Sequence, residues 1–416
     1  MKINQIIYLT IGTLFAIQQT SAQSEALTSS PYSLYGLGVI NQTSIGKFNS
    51  LGYSGIGIKT PYELNNLNPA NYALIPQNSF LYDIGVTGEF NNYSNTSDTE
   101  GKSNVNFSNI AFGFRIAENL GAGITMVPYS DVGYSLLGVS SNIEGSTDTF
   151  ESNVTGLGGL NDIRLNVGYA LTPKLRLGLS ASFLFGNIEE TESFIYNASA
   201  FESVEKTNYS GARLGFGLQY DVNDKITIGS TVQLPTSLGG NLKRSVDKSL
   251  SGIEISVEDD TSDTVSDFKL PLELGFGMSI KPIEELTFSA DYKKNFWTDT
   301  HQSENIGSYE DQDIYAFGLE YIQDPTSYKY GQRIAYRLGY NYDNGYLAIS
   351  DEKVEGYNFT AGIGIPTSRG THSMINLSYS YGSKGLLQNV LVKENYHLLT
   401  LNLSLEDIWF VKKKVY

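Results

Sequence analysis

The chain has 416 residues, a formal net charge of −16 and no cysteine. That charge excludes nucleic acid, whose phosphates need Lys and Arg. The missing thiols exclude both a lipid-anchored lipoprotein and a disulfide-stapled secreted fold. In chain order, the first element is an export signal. Lys2 gives a short positive region, an apolar stretch runs from Ile6 to Ile17, and Thr20-Ser21-Ala22 supplies the small residues a signal peptidase reads. Residues 1–22 are therefore expected to be a signal peptide cut after Ala22, its apolar core being too short to span a bilayer.

Residues 23–78 do not read as strand. They are rich in Gly and turn residues, with Gly36, Gly38, Gly46, Gly52, Gly55 and Gly57 ahead of Asn65-Asn66-Leu67-Asn68-Pro69-Ala70. A segment this long, neither charged nor repetitive, is expected to fold against another surface, and inside a wide barrel it can serve as a plug. Asn68, Pro69 and Ala70 have two compatible readings: the seat of a movable hatch, or a turn before the first strand, since Asn-Pro favours turn initiation.

From about Ser79 onward, apolar and polar residues alternate with period two. Leu286 to Tyr292, Ile375 to Tyr381 and Leu399 to Leu405 show it plainly, and in Ala212 to Tyr220 and Ile334 to Tyr342 Arg or Gly faces away from Leu, Phe and Tyr. No later apolar run is long enough for a transmembrane helix. Only a closed barrel then remains as a way to satisfy every backbone group in lipid. The 29 Tyr, 20 Phe and 42 Gly suit such strands, with aromatic girdles and small lumen-facing residues.

The alternation predicts about fourteen strands. They lie near 79–91, 104–117, 120–136, 160–171, 174–187, 207–222, 224–234, 264–280, 285–297, 311–323, 331–342, 354–365, 372–382 and 395–406. Links after even-numbered strands are short, as at Glu118-Asn119, Thr172-Pro173 and Asn223. Links after odd-numbered strands are longer and polar, the largest running from Pro235 to Asp263. Short periplasmic turns and long outer loops mark a bacterial outer-membrane barrel, and this parity puts both termini in the periplasm. The barrel is expected over 79–411, with Trp409 and Phe410 in an interfacial girdle and 412–416 as a short, solvated basic tail.

Within the barrel, lumen-facing positions hold Arg115, Arg164, Arg176, Arg213, Arg337, Lys293, Glu273 and Asp291. A cation there would hold a fatty-acid carboxylate bidentately; the expected role is instead an internal salt-bridge network tying barrel to plug, because barrel interiors are ordinarily polar. Pro128 cannot donate to a strand ladder, so Met126 to Gly133 cannot pair normally along its length. Pro128, Tyr129 and Gly133 are the candidates for a strand kink. Glu258-Asp259-Asp260 with Asp263 and Asp267 lacks the spacing of a Ca²⁺ loop and reads as a solvated outer loop at the lipopolysaccharide surface. His301, His372 and His397 sit in no Ser/His/Asp or metal-ligand pattern, and no phosphate loop or nucleophile elbow occurs. Neither an enzyme nor a cofactor or metal protein is expected.

Four patches carry a family resemblance. Gly46 through Gly57 with Asn68-Pro69-Ala70, then Gly121 to Tyr129, then Thr227-Ile228-Gly229-Ser230 with Pro235, and then Leu270 to Gly277 with Lys281-Pro282, Leu286 to Tyr292 and Trp297 resemble the FadL/TodX family of outer-membrane hydrophobic transporters. The resemblance implies an all-β, fourteen-stranded transmembrane barrel closed by an N-terminal hatch. It also implies uptake of long-chain fatty acids or other hydrophobic compounds, which enter at the outer loops and leave sideways to the lipid through a gap at a kinked third strand. Some barrels similar to this family serve protein secretion or surface assembly, so exported protein cargo is the alternative partner. An apolar pocket would favour the transporter, and an exposed apolar loop patch the interaction protein. Ile253, Ile255 and Val257 suit either.

Overall fold

The computed structural model describes residues 28–95, 98–142, 149–196, 199–250, 253–302, 307–387 and 391–408. The expected signal peptide, Trp409-Phe410 and the basic tail lie outside the described residues. Fourteen antiparallel strands close a barrel. They are β1 (Ser79–Ser94), β2 (Thr99–Ala117), β3 (Leu120–Asn142), β4 (Thr149–Ala170), β5 (Leu175–Tyr196), β6 (Ser199–Asn223) and β7 (Ile226–Gln233). The second half comprises β8 (Glu273–Ile283), β9 (Leu286–Asn295), β10 (Gln312–Ile322), β11 (Ala335–Asp343), β12 (Gly356–Pro366), β13 (Met374–Lys384) and β14 (Lys393–Ile408). Each strand pairs with the next, and β14 pairs with β1 from Ile408↔Ser79 to Lys393↔Ser94, which completes the ring.

The alternation seen in the sequence becomes an inside and an outside. Along β14, Leu399, Leu401 and Leu403 are 47%, 37% and 40% exposed, whereas Thr400, Asn402 and Ser404 are 7%, 0% and 4% exposed. A soluble protein has the opposite arrangement; apolar outside and polar inside is what lipid solvates. Aromatic ladders stand on this outer face. Tyr292, Tyr315 and Tyr342 run across three strands with centroids 5.2 and 6.5 Å apart, and the His397 ring sits beside Tyr379 and Tyr381.

One feature differs from the sequence-based expectation. The stretch 235–263 is not a loop. Thr236–Leu250 and Ile253–Leu270 form a hairpin that carries β7 and β8 onward, past breaks at Leu234-Pro235 and Pro271-Leu272. The expected strand 264–280 is accordingly two strands. Proline cannot donate to a ladder, and the two prolines interrupt both arms of the hairpin at the same height, since Glu273 still faces Gln233. Beyond the break, β6 changes partner from β7 to Thr236–Leu250, and its register runs from Ser210↔Gly239 to Ser199↔Leu250.

Ser30 donates to Glu394, beside the far ends of β1 and β14, while Ser79 and Ile408 lie together at the other end. Ser30 and Ile408 therefore lie at opposite ends of the barrel, while the first wall strand starts and the last one stops at the same end.

Between those ends, residues 28–78 run down the inner wall. Three short 3-10 turns, Pro31–Leu34, Gly46–Ser50 and Pro69–Leu74, pack on the strands. The main apolar clusters lie between this segment and the wall. One joins Ile45, Leu64, Tyr72 and Ile75 to Leu81, Ala111 and Val127. Another joins Leu37 to Leu160, Leu184, Leu238, Phe268 and Trp297.

Candidate functional site

Gly-rich strands let the segment approach closely. A Cβ at Gly168, Gly178 or Gly217 would collide with Pro69, Ala70, Asn68 or Ala73. The Asn68 side chain caps the turn through Ala70 N at 3.0 Å, and it also donates to the Ile56 and Leu218 carbonyls, each at 3.0 Å. Asn68, Pro69 and Ala70 are thus a turn seated against β5 and β6. Capping explains the choice of Asn, because a side-chain oxygen accepts the first free amides of such a turn.

Inward carboxylates and amides hold the rest of the segment. Asp291 accepts from Gly55 N at 2.6 Å and Ile56 N at 2.9 Å. Gln219 donates to the Ile56 and Ile58 carbonyls, both at 3.1 Å. Asp83 accepts from Asn109 at 2.6 Å and Asn402 at 2.7 Å, and Asn49 reaches Asn402 at 3.0 Å. This last cluster was not legible from the sequence, since no local spacing relates positions 49, 83, 109 and 402.

Each predicted lumen arginine meets acceptors within the protein. Arg115 donates to the Ile75 carbonyl at 3.0 Å. Arg164 bonds Asp162 at 2.6 Å and Ser182 at 3.0 Å. Arg176 pairs with Asp221, which also takes Lys59 at 2.9 Å. Arg337 bonds Glu320 at 2.6 Å and Asn376 at 2.7 Å. Lys47, from the segment, lies 2.8 Å from Glu63 and 3.4 Å from Glu320. Burial pulls the Lys47 ammonium down, but Glu320 and Glu63 more than offset this and hold it above the ordinary lysine value. Arg213 differs from the others. It bonds the Leu234 carbonyl at 2.8 Å, Glu273 at 2.7 Å and the Pro271 carbonyl, so it bridges the two strand breaks at the neck of the long hairpin.

The predicted kink stands at a break in the wall. β2 and β3 pair from Ala117↔Leu120 to Ile110↔Met126 and no further. Beyond Met126, β3 keeps β4 on one side, with a bulge between Pro128 and Ser130 opposite Asn161 and Leu160. Its other edge receives the N-terminal segment instead of β2. Val39 and Ile40 pair with Asp131 and Ser130, Asn41 N donates to the Tyr129 carbonyl at 2.9 Å, and Gly133 N donates to Ser33 at 3.1 Å. Pro128, Tyr129 and Gly133 therefore mark where β3 leaves β2 and takes a partner from inside.

A cavity of about 270 Å³ opens on this break. Val39 and Ile40 from the segment, Phe107 from β2 and Pro128 from β3 line it at the break, and Val354 and Leu398 add apolar lining elsewhere. Opposite lie Glu89, Asp343 and Glu394 with one cation, Lys384, and Asp131 stands at the break itself. The three histidines are scattered. His372 stacks on Tyr62 at 3.4 Å, His397 bonds Tyr379 at 2.7 Å on the outer face, and His301 ends a 3-10 turn. Among the described residues no group of three or more His, Asp or Glu is placed to hold a metal ion.

Solved structures share this architecture. The chain is similar to the Ralstonia pickettii toluene transporter TbuX, at 18% identity over 87% of this chain and 98% of that one, with a TM-score of 0.61. It is similar to a Pseudomonas aeruginosa FadL homologue at 11% identity, covering 88% and 99%, with a TM-score of 0.63. The Pseudomonas putida toluene transporter TodX matches at 16% identity over 94% and 100%, with a TM-score of 0.58. At these identities the likeness shows the fold. A comparison with curated protein sequences finds no match. The sequence model of one family, BamG, matches residues 2–416.

Proposed function

The chain belongs to the BamG family, and we propose that it is an outer-membrane channel for hydrophobic compounds, with residues 28–78 as its hatch and the β2–β3 break as a lateral exit. The observation that carries this reading is the shared position of cavity, break and hatch. Four of the apolar residues lining the cavity, Val39, Ile40, Phe107 and Pro128, flank the separation of β2 from β3. An apolar solute gains roughly 0.8 kcal/mol per CH₂ by staying out of water. A sideways path from a protein cavity into lipid avoids full hydration, which an aqueous pore does not. The FadL and TodX likeness in fold supports the same path.

The site also favours one kind of hydrophobic compound. The predicted arginines are engaged by protein acceptors, and the cavity sets Glu89, Asp131, Asp343 and Glu394 against the single Lys384. A fatty-acid carboxylate would meet like charge there, so uncharged hydrophobic compounds, small aromatic ones included, fit better than fatty acids.

The chain has no cysteine, so a designed pair reports cleanly. Val39 and Asp131 face each other across the segment–β3 pairing. With Val39→Cys and Asp131→Cys oxidised, entry of labelled toluene into cells is expected to fall to the background of a strain without the barrel, and reduction is expected to restore it. Full uptake with the disulfide formed would remove the hatch and exit from the path.

A further inference from the structure

The long hairpin presents a free strand edge. Thr236–Leu250 is paired on both sides, with β6 and with its own return strand. Among the described residues the return strand, Ile253–Leu270, pairs with Thr236–Leu250 alone. The strand that follows β8 in the wall, β9, reaches no higher than Asn295↔Glu273, below the hairpin. Apart from a contact of Lys269 N with Gln302 at the neck, no strand among the described residues covers this edge. A bare edge exposes a row of amide and carbonyl groups that template pairing with another chain, and proteins usually blunt it with Lys or Pro.

Here the edge carries neither over its outer part. Ile253, Ile255 and Val257 are 66%, 50% and 61% exposed. Ile255 opens a row across the sheet through Lys248 and Phe201 to Phe194, with Phe201 and Phe194 stacked at 5.0 Å and Phe150 against Phe194 at 4.8 Å. A new strand beside Ile255 would thus extend a row that crosses five strands and is apolar at every position but Lys248. The charge along the edge has one sign. Glu254, Glu258, Asp263 and Asp267 share the edge strand with a single cation, Lys269; Arg244 on the neighbouring strand pairs with Glu205 and also attracts Glu258 and Asp263, whereas Glu254 and Asp267 are in no ion pair among the described residues. Bulges at Ser256/Glu258 and Glu258/Thr261 divide the edge into two regular runs, Ile253–Ser256 and Thr261–Val265. Short runs suit a short partner segment and disfavour long self-pairing.

We propose that the Ile253–Val265 edge docks an extended polypeptide segment of another protein by strand addition. The segment would alternate aliphatic residues, which continue the Ile255 row, with Lys or Arg, which meet the edge carboxylates, Glu254 first among them. A second copy of this chain fits poorly, because its own edge would bring acid against acid. Strand addition takes affinity from main-chain bonds and specificity from alternate side chains. The proposal is independent of the channel reading, since the hairpin lies beyond the β2–β3 exit and either can fail alone.

The test uses the full-length barrel in lipid nanodiscs and three fluorescent peptides: alternating Lys and Val, the same peptide N-methylated on alternate amides, and alternating Glu and Val. The Lys/Val peptide is expected to bind, N-methylation to weaken it about tenfold or more, and Glu/Val not to bind. In the Glu254→Lys/Asp263→Lys variant the preference between Lys/Val and Glu/Val is expected to reverse. Equal binding of the methylated and unmethylated peptides would overturn strand addition, leaving charge adsorption. Lys/Val binding unchanged in the double variant would overturn the site. Concentration-dependent dimerisation that the Lys/Val peptide fails to compete would overturn the choice of partner in favour of a second copy.

Discussion

The amide of Asn41 donates to the carbonyl of Tyr129 at 2.9 Å, on the edge of β3 that β2 has left. A wall strand is therefore satisfied from within the lumen, by a segment with no strand on its own other side among the described pairings. Any movement of that segment exposes the β3 edge, and any repair of the wall displaces the segment. The proposed hatch and the proposed exit thus share one arrangement of hydrogen bonds.

Pro128 lies at the start of this arrangement and contributes no amide hydrogen. Pro128→Ala supplies one and lets the β2–β3 ladder extend past Ile110↔Met126. Uptake of an uncharged hydrophobic probe is expected to slow, with thermal stability held within about 1 kcal/mol. Unchanged uptake would remove the lateral exit from β3.

Asp291 takes two buried amides of the segment, Gly55 N and Ile56 N. In Asp291→Ala both lose their acceptor, at about 1–3 kcal/mol for each buried group left unpaired. Hydrogen exchange at Gly55 and Ile56 is expected to rise sharply while the β9 ladder stays protected. Equal loss of protection in both would show instead that Asp291 supports the barrel wall.

Lys47 sits between Glu63 and Glu320. Lys47→Met leaves buried carboxylates with one cation fewer, at a cost of roughly 3–5 kcal/mol for a broken buried pair. A lower unfolding temperature in detergent is the expected readout. The pH sign follows from the raised Lys47 value. Its contribution is fully present below the ordinary lysine pKa of about 10.4 and is lost as pH rises through the higher folded value. Wild type is thus expected to lose segment protection only in strongly alkaline buffer, and Lys47→Met to show no such step.

Arg213 ties Leu234, Pro271 and Glu273 together at the hairpin neck. Arg213→Leu leaves two carbonyls and a carboxylate without their donor, which is expected to loosen Thr236–Leu250 and Ile253–Leu270 against the barrel. Limited proteolysis should cut within 234–272 at least several times faster than in wild type, with the barrel body intact. Cleavage at the wild-type rate would show that the flanking ladder alone holds the neck.

The barrel was legible in the sequence because a membrane strand repeats one local rule. Residues such as Leu399, Leu401 and Leu403 must face lipid, and Thr400, Asn402 and Ser404 must not, so period two alone marks the strand and its faces. Pro128 was legible for a similar reason, as a missing donor is a property of one residue. What those residues meet was decided only by closing the ring. Asn402 reaches Asp83 and Asn109 because β14 pairs with β1, and Arg213 finds Leu234 and Pro271 because two proline breaks fall at one height. The same closure turns 235–263 from an apparent loop into a strand pair, because β6 rises high enough to serve as its template. Local patterning selects strand and face, whereas partners on other strands are chosen by register and shear, which belong to the whole ring.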